Sequence, residues 1–300
     1  MTKVFRTLLA LTIVAAVIAL GWMALPTSPD VVVYTSADDQ YSRPLVAAFE
    51  NETGLTVGLV TDAEAAKTTG LYQRLLAEQK APRADVFWNN EISRTLLLSG
   101  KGAIQKWTPS DLKGIPGEFR DPEGKWYGLA CRVRVIIYNK EKVSERDAPG
   151  SVFDLAKERW KDRAAMAYPL FGTSATHCAA LRAHPKMGRE KANRFFRELV
   201  RNGMRVVEGN SVVAKMVGRG TVEVGLTDTD DAWNVIAAGM PVGIVYPDQR
   251  PPEFGALVIP NTATMISGCR RPAAARKFLD FLLSAKSEAM LAAPPARHLP

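Results

Sequence analysis

Residues 31–60 read VVVYTSADDQYSRPLVAAFENETGLTVGLV, and this stretch decides the fold class. Val31–Thr35 is a run rich in β-branched residues that begins just after Pro29, which predicts a strand. Tyr41–Thr53 carries Leu45, Val46 and Phe49 at helical spacing. Gly54 stands where a helix ends in a left-handed residue, and Leu55–Val60 returns to strand character. Further on, Tyr72–Lys80 is helical. Ala84–Trp88 is a third strand, closed by Asn89, Asn90 and Glu91. Strand, helix, strand, helix, strand is the pattern of an α/β unit with a largely parallel sheet.

The alternation continues to the end of the chain. Gly124–Gly128 reads as a turn and Arg132–Tyr138 as a strong strand. Further strands are expected at Ala164–Tyr168, Met204–Val207, Val222–Leu226, Val242–Tyr246 and Ala256–Ile259. Helices are expected at Thr176–Ala183, Gly188–Asn202, Ser211–Gly218, Ala273–Ser284 and Lys286–Ala292. Residues Pro294–Pro300 show no periodicity.

Asp228, Asp230 and Asp231 crowd four positions directly after one of these strands. Two carboxylates about 4 Å apart repel by roughly 4 kcal/mol at an effective dielectric of 20. Holding them together takes a cation, a hydrogen-bonding cage or a raised pKa. The plainer reading is an acidic turn that caps the next helix. Polar clusters also follow strands at Ser36–Asp39, Asn89–Glu91 and Gly172–Thr176. Ligands of open α/β sheets bind beyond the carboxyl ends of strands, so these four clusters are expected to line one cleft.

The chain has 300 residues, 47% hydrophobic and 23% charged, with room for two lobes. Lys3 and Arg6 account for two of its 39 basic residues, so 37 basic against 31 acidic remain from Asp30 onward. No basic stripe interleaves with aromatics, which argues against nucleic-acid binding. Residues 1–29 read as a signal sequence or N-terminal membrane anchor: Lys3 and Arg6 precede an uncharged apolar run, Leu8–Leu25. The run approaches the length of a spanning helix, and basic residues at its start place the remainder outside the cytoplasm. In an oxidising compartment Cys131, Cys178 and Cys269 allow one disulfide and leave an odd thiol. Their spacing, with His177 and His184, fits no zinc motif.

Several stretches, taken in order, resemble an extracellular solute-binding protein of an ABC importer, in its ferric-iron-binding branch. They are VVVYTSADDQY (31–41), LLAEQKAPRADVFWNNE (75–91), GKWYGLACRVRVIIYNKEKV (124–143), NSVVAKMVGRGTVEVGLTDTDDAW (210–233) and YPDQRPPEFGALVIPNTATMISG (246–268). The resemblance covers about residues 31–292. It implies an α/β, two-lobed periplasmic-binding-protein fold of type II, with the ligand between the lobes. Lobe 1 would hold 30–131 plus 247–283, and lobe 2 would hold 132–246 plus 284–300. It further implies a monomeric, non-enzymatic carrier in the periplasm or on the outer face of the membrane, with an ABC permease and ATPase as partners.

The resemblance also assigns site residues. Cation ligands fall on Asp38, Asp39, Glu91, Asp230 and Asp231. A synergistic anion such as carbonate or phosphate, or another part of the ligand, falls on Ser36, Asn90, Arg132, Thr173, Ser174 and Asn210. The paired tyrosines of iron binders are replaced by Asp230 and Asp231. Carboxylates are hard ligands that suit ferric iron and also calcium, magnesium and manganese. They equally suit an ammonium group, so a zwitterion such as an aminophosphonate is an alternative cargo. A secreted metal-dependent hydrolase is the competing class. The sequence shows no activated nucleophile and no paired general acid and base to support it.

Overall fold

The computed structural model describes residues 28–62, 69–294 and 298. Apart from its last two residues, the leader or anchor expected at 1–29 lies outside the described residues. Among the described residues no helix is long and apolar enough to cross a membrane.

The first lobe starts with β1 (Val31–Thr35), α1 (Asp39–Thr53) and β2 (Val57–Thr61). It continues with α2 (Thr69–Ala77), β3 (Val86–Asn89), α3 (Ser93–Gly100) and β4 (Ile104–Gln105). β1 lies between β2 and β3 and runs parallel to both. β5 (Trp126–Asn139) then leads to the second lobe. That lobe comprises β6 (Ala164–Ala167), α4 (Gly172–Ala183), α5 (Gly188–Arg201), β7 (Arg205–Val207), α6 (Asn210–Gly218), β8 (Val224–Asp228), α7 (Thr229–Ala237) and β9 (Val242–Val245). β10 (Val258–Ile266), α8 (Pro272–Leu282) and α9 (Ala285–Ala292) follow.

The strand order is β2-β1-β3-β10-β5-β8-β6-β7, with β4 beside β10 and β9 beside β5. The sheet is parallel only on its flanks. β10 and β5 run antiparallel to their neighbours because they carry the chain between the lobes. One strand therefore serves both lobes: β5 pairs with β10 as far as Val133, then with β8 from Arg134. The turn expected at Gly124–Gly128 ends earlier, and Trp126 already pairs with Thr264.

Just before the crossover the pairing slips between Ile259 and Asn261, and Ala130 takes a left-handed φ of 43°. An L-residue in that region costs roughly 1–2 kcal/mol. Two partners hold it there: the Ala130 N–H donates to the Glu288 carboxylate at 3.0 Å, and its carbonyl accepts from Asn261 Nδ2.

Glu288 belongs to α9, which corrects one expected boundary. Residues from 284 onward were assigned to lobe 2, yet α9 packs on lobe 1. Leu291 joins Phe49, Phe278 and Leu282 in one apolar cluster. The link from α8 is only Leu283–Ser284, too short to carry α9 to the other lobe, and Ser284 caps the new helix.

Each lobe has its own core. In the first, Val31, Val33, Trp88 and Leu279 pack around Phe49, whose ring meets Phe278 edge-on at 5.1 Å. In the second, one face of β5, β6 and β8 packs on Phe195 and Leu199 of α5, and the other on Val213 and Val217 of α6. Gly225 of β8 lets α6 lie close, since a Cβ there would come within 2.5 Å of Val213 Cγ1. That approach brings the start of α6 to the end of β8.

Phe278→Ala removes a fully buried ring from the first core and is expected to cost about 3–5 kcal/mol. Urea denaturation followed by circular dichroism measures it, as a lower midpoint at unchanged slope.

Candidate functional site

A cavity of about 670 Å³ lies between the lobes, beyond the ends of β1, β3, β6 and β8. Its second-lobe wall is made where α4, α6 and α7 begin, at Gly172–Ser174, Gly209–Val212 and Asp228–Asp231. The first N–H groups of a helix have no partner within the helix, and together with the helix dipole they favour negative charge. The first-lobe wall includes Ala37, Asp38, Tyr41, Asn90, Asn261 and His298, with Arg132 at the crossover.

Under this wall lies Arg134, fully buried. Its Nη1 donates to Asp228 Oδ1 at 2.7 Å and to Asn210 Oδ1 at 3.0 Å. The Thr173 hydroxyl and Asn210 Nδ2 donate to Asp228 Oδ2 at 2.6 and 3.0 Å. Arg134 Nε donates to His177 Nδ1 at 3.3 Å and Nη2 to Ser174 Oγ at 3.4 Å. Burial, and then the Arg134 charge, push the His177 pKa down to about 3. Thr173, Ser174 and Asn210 thus line the cavity while holding an ion pair behind it.

Asp230 and Asp231 sit in the first turn of α7. Single carboxylate oxygens of Asp228, Asp230 and Asp231 all lie within 4.8 Å of one another, a spacing that can hold a metal ion. Asp230 Oδ2 is 3.7 Å from Arg132 Nη1 and 3.6 Å from His298 Nε2. Burial opposes ionisation of Asp230, but Arg132 and His298 outweigh it and hold its pKa below the usual range. Asp231 is driven the other way, well above the usual range, by burial and then by Asp230 and Asp228. Arg132 also donates through Nη2 to the Asn90 carbonyl.

Of the residues assigned from sequence, Asp38, Asn90, Arg132, Thr173, Ser174, Asn210, Asp230 and Asp231 line the cavity. Three do not. Asp39 is half-exposed on α1 and pairs with Arg43 at 2.8 Å, one helical turn on. Ser36 is buried behind the wall, donating to Asn89 Oδ1 at 2.7 Å and accepting from the Asn90 N–H at 2.8 Å. Glu91 caps the start of α3, accepting from the backbone N–H groups of Ser93 and Arg94. A further contact crosses to the second lobe, where the Thr176 hydroxyl donates to it at 2.7 Å. Unsatisfied N–H groups at a helix start claim a nearby carboxylate, and this turns Glu91 away from the cavity.

Sequence reasoning missed Arg134, Tyr41 and His298. Arg134 had a signal: side chains at i and i+2 of a strand share a face, so Arg132 and Arg134 point the same way. The three cysteines are all free thiols.

The bacterial extracellular solute-binding protein family matches residues 84–296, and the chain belongs to that family. It is 27% identical over 284 residues to the major ferric iron-binding protein of Neisseria meningitidis serogroup B, covering 92% of this chain and 82% of that protein. It is 28% identical over 217 residues to the Fe(3+)-binding periplasmic protein of Serratia marcescens, covering 72% of this chain and 62% of that protein. Among solved structures it is similar to the Trichodesmium IdiA (FutA) protein in complex with iron and citrate. That match has a TM-score of 0.75 and 26% identity, over 90% of this chain and 85% of the other. These relatives are solute-binding proteins, and the two α/β lobes match their fold.

Arg134→Met is expected to destabilise by about 3–5 kcal/mol, because Asp228 stays buried without its partner. Arg134→Met with Asp228→Leu recovers much of that loss in the same urea titration. His177 supplies a pH signature. Its folded pKa of about 3 lies below the ordinary histidine value of 6.5, so between those values the unfolded chain binds a proton that the fold refuses. Stability therefore falls as pH drops through that window. His177→Asn is expected to flatten the acid limb of unfolding free energy plotted against pH.

Proposed function

We propose that this protein captures a metal cation outside the cytoplasm, ferric iron foremost, together with a small anion, and delivers it to an ABC permease and its ATPase. The observation that carries this reading is the trio of carboxylates within 4.8 Å at the wall of an inter-lobe cavity. Carboxylates are hard oxygen donors suited to hard cations. Asp230 and Asp231 are the proposed cation ligands on this lobe, and Asp38 faces them from the other. Arg132 and the starts of α4 and α6 are the proposed anion contacts, as charge-assisted and helix-terminal donors to carbonate, phosphate or a carboxylate. Membership of an extracellular solute-binding family supports the transport role, and the leader read at residues 1–29 supports export.

A second cargo has its own support. The cavity, at about 670 Å³, is many times the roughly 30 Å³ that one water occupies in the liquid. Acidic and basic groups stand side by side in it. A zwitterion such as an aminophosphonate fits both facts, its ammonium on Asp230 and Asp231 and its anionic end on Arg132.

Chelator-stripped protein titrated with ferric nitrilotriacetate, with and without carbonate or phosphate, decides between the two. Iron uptake that strengthens with the anion supports the first reading. Calorimetric binding of 2-aminoethylphosphonate by protein that takes up no metal supports the second. Asp230→Asn is expected to weaken iron binding by at least roughly tenfold, the lower end of what loss of a metal site's supporting groups costs. Glu91→Gln should leave iron affinity nearly unchanged while lowering the melting temperature.

A further inference from the structure

Beyond α9, His298 lines the cleft. The His298 N–H donates to the Leu291 carbonyl at 2.9 Å, and the imidazole is only 5% exposed. Its ring meets Tyr41 edge-on, with centroids 5.4 Å apart. Nε2 stands 3.6 Å from Asp230 Oδ2, beyond hydrogen-bond length. Among the described residues neither ring nitrogen has a hydrogen-bond partner, and neither does Asp230 Oδ1. A buried polar atom without a partner costs about 1–3 kcal/mol, so unpartnered atoms gathered at one point of a cavity call for an explanation in function.

We propose that His298 is a ligand of the transported cation, an imidazole nitrogen presented by the first lobe to the ion held by Asp230 and Asp231 of the second. The proposal rests on the reading of the cleft as a cation site and names the class of cation. Carboxylates alone suit calcium, magnesium and manganese, whereas imidazole suits iron, copper, nickel and zinc. Adding His298 therefore selects for transition metals. Two donors that share an ion at about 2.1 Å each lie within about 4.2 Å of one another, and 3.6 Å meets that limit.

Tyr41 positions the imidazole. Besides its ring contact, its hydroxyl accepts from Asn234 Nδ2 of α7 at 3.3 Å. Tyr41 thus ties the imidazole to the helix that carries Asp230 and Asp231. Burial, then the charge of Asp230, push the Tyr41 pKa upward. Its ring serves as a wall for the imidazole.

The test compares the full chain with His298→Ala and His298→Gln, using ferric nitrilotriacetate and calcium chloride as probes. The wild type is expected to bind iron, and both variants to bind it roughly 10- to 100-fold more weakly, with little change toward calcium. Pulsed EPR of the ferric-loaded wild type should show nitrogen couplings that His298→Ala abolishes. Iron binding by His298→Ala equal to or tighter than wild type overturns the assignment alone, and tighter binding marks His298 as an internal plug. Failure of the wild type to bind iron or any other metal overturns the cation reading and this assignment with it.

Discussion

The ion pair between Arg134 and Asp228 is the constraint on which the cleft depends. Both side chains are buried, at 0% and 1% exposure, and neither charge is tolerable there alone. The pair sits where β5 exchanges β10 for β8 as its partner, so it ties the crossover strand to the end of β8. Thr173 and Asn210, from the first turns of α4 and α6, close the cage around it. Three helix starts are thereby fixed around one cavity. Because Arg134 offsets Asp228, the uncompensated acidity of the wall falls on the two aspartates that follow.

The lobes touch through a few isolated polar contacts beside the cleft. Thr176 donates to Glu91 at 2.7 Å and Asn234 to Tyr41 at 3.3 Å. A single hydrogen bond contributes on the order of 1 kcal/mol net. Contacts of that size leave the relation between the lobes open to bias by a ligand that touches both, provided it binds one arrangement better than the other. The bulge at Ala130, held by Glu288 and Asn261, lies just before the point where β5 changes partners. Glu288 therefore couples α9 to the crossover, and α9 in turn leads to His298.

Much of the fold was legible in residues 31–60, because β-branched runs and helical spacing report directly on burial. The crossover was less so. β5 is a continuous apolar strand whose sequence does not say that its two halves belong to different lobes. The acidic triplet and the loop at Gly172–Thr176 could be found because both follow strong strands. Glu91 was misassigned because a carboxylate at a helix start serves as well for a cap as for a ligand, and only geometry separates the two. Arg134 in CRVR was missed, although an arginine within an apolar strand needs a buried anion to pair with. His298 carried no signal, since residues 294–300 show no periodicity that could place it.

Asp230 and Asp231, side by side in the first turn of α7, set the electrostatics of this wall. Two carboxylates at this spacing resist joint ionisation, and burial, followed by the charges of Asp230 and Asp228, raises the Asp231 pKa. Here Arg132, 3.7 Å from Asp230, relieves part of that repulsion. On the cation reading the arriving ion takes over this task, and Arg132 loses its claim on Asp230. A buried guanidinium that shares its nearest carboxylate with a cation is stabilised by a further anion. The starts of α4 and α6 lie on the same cavity wall and favour negative charge. Cation and anion would then bind as a linked pair, each raising the affinity for the other, as reciprocal coupling requires.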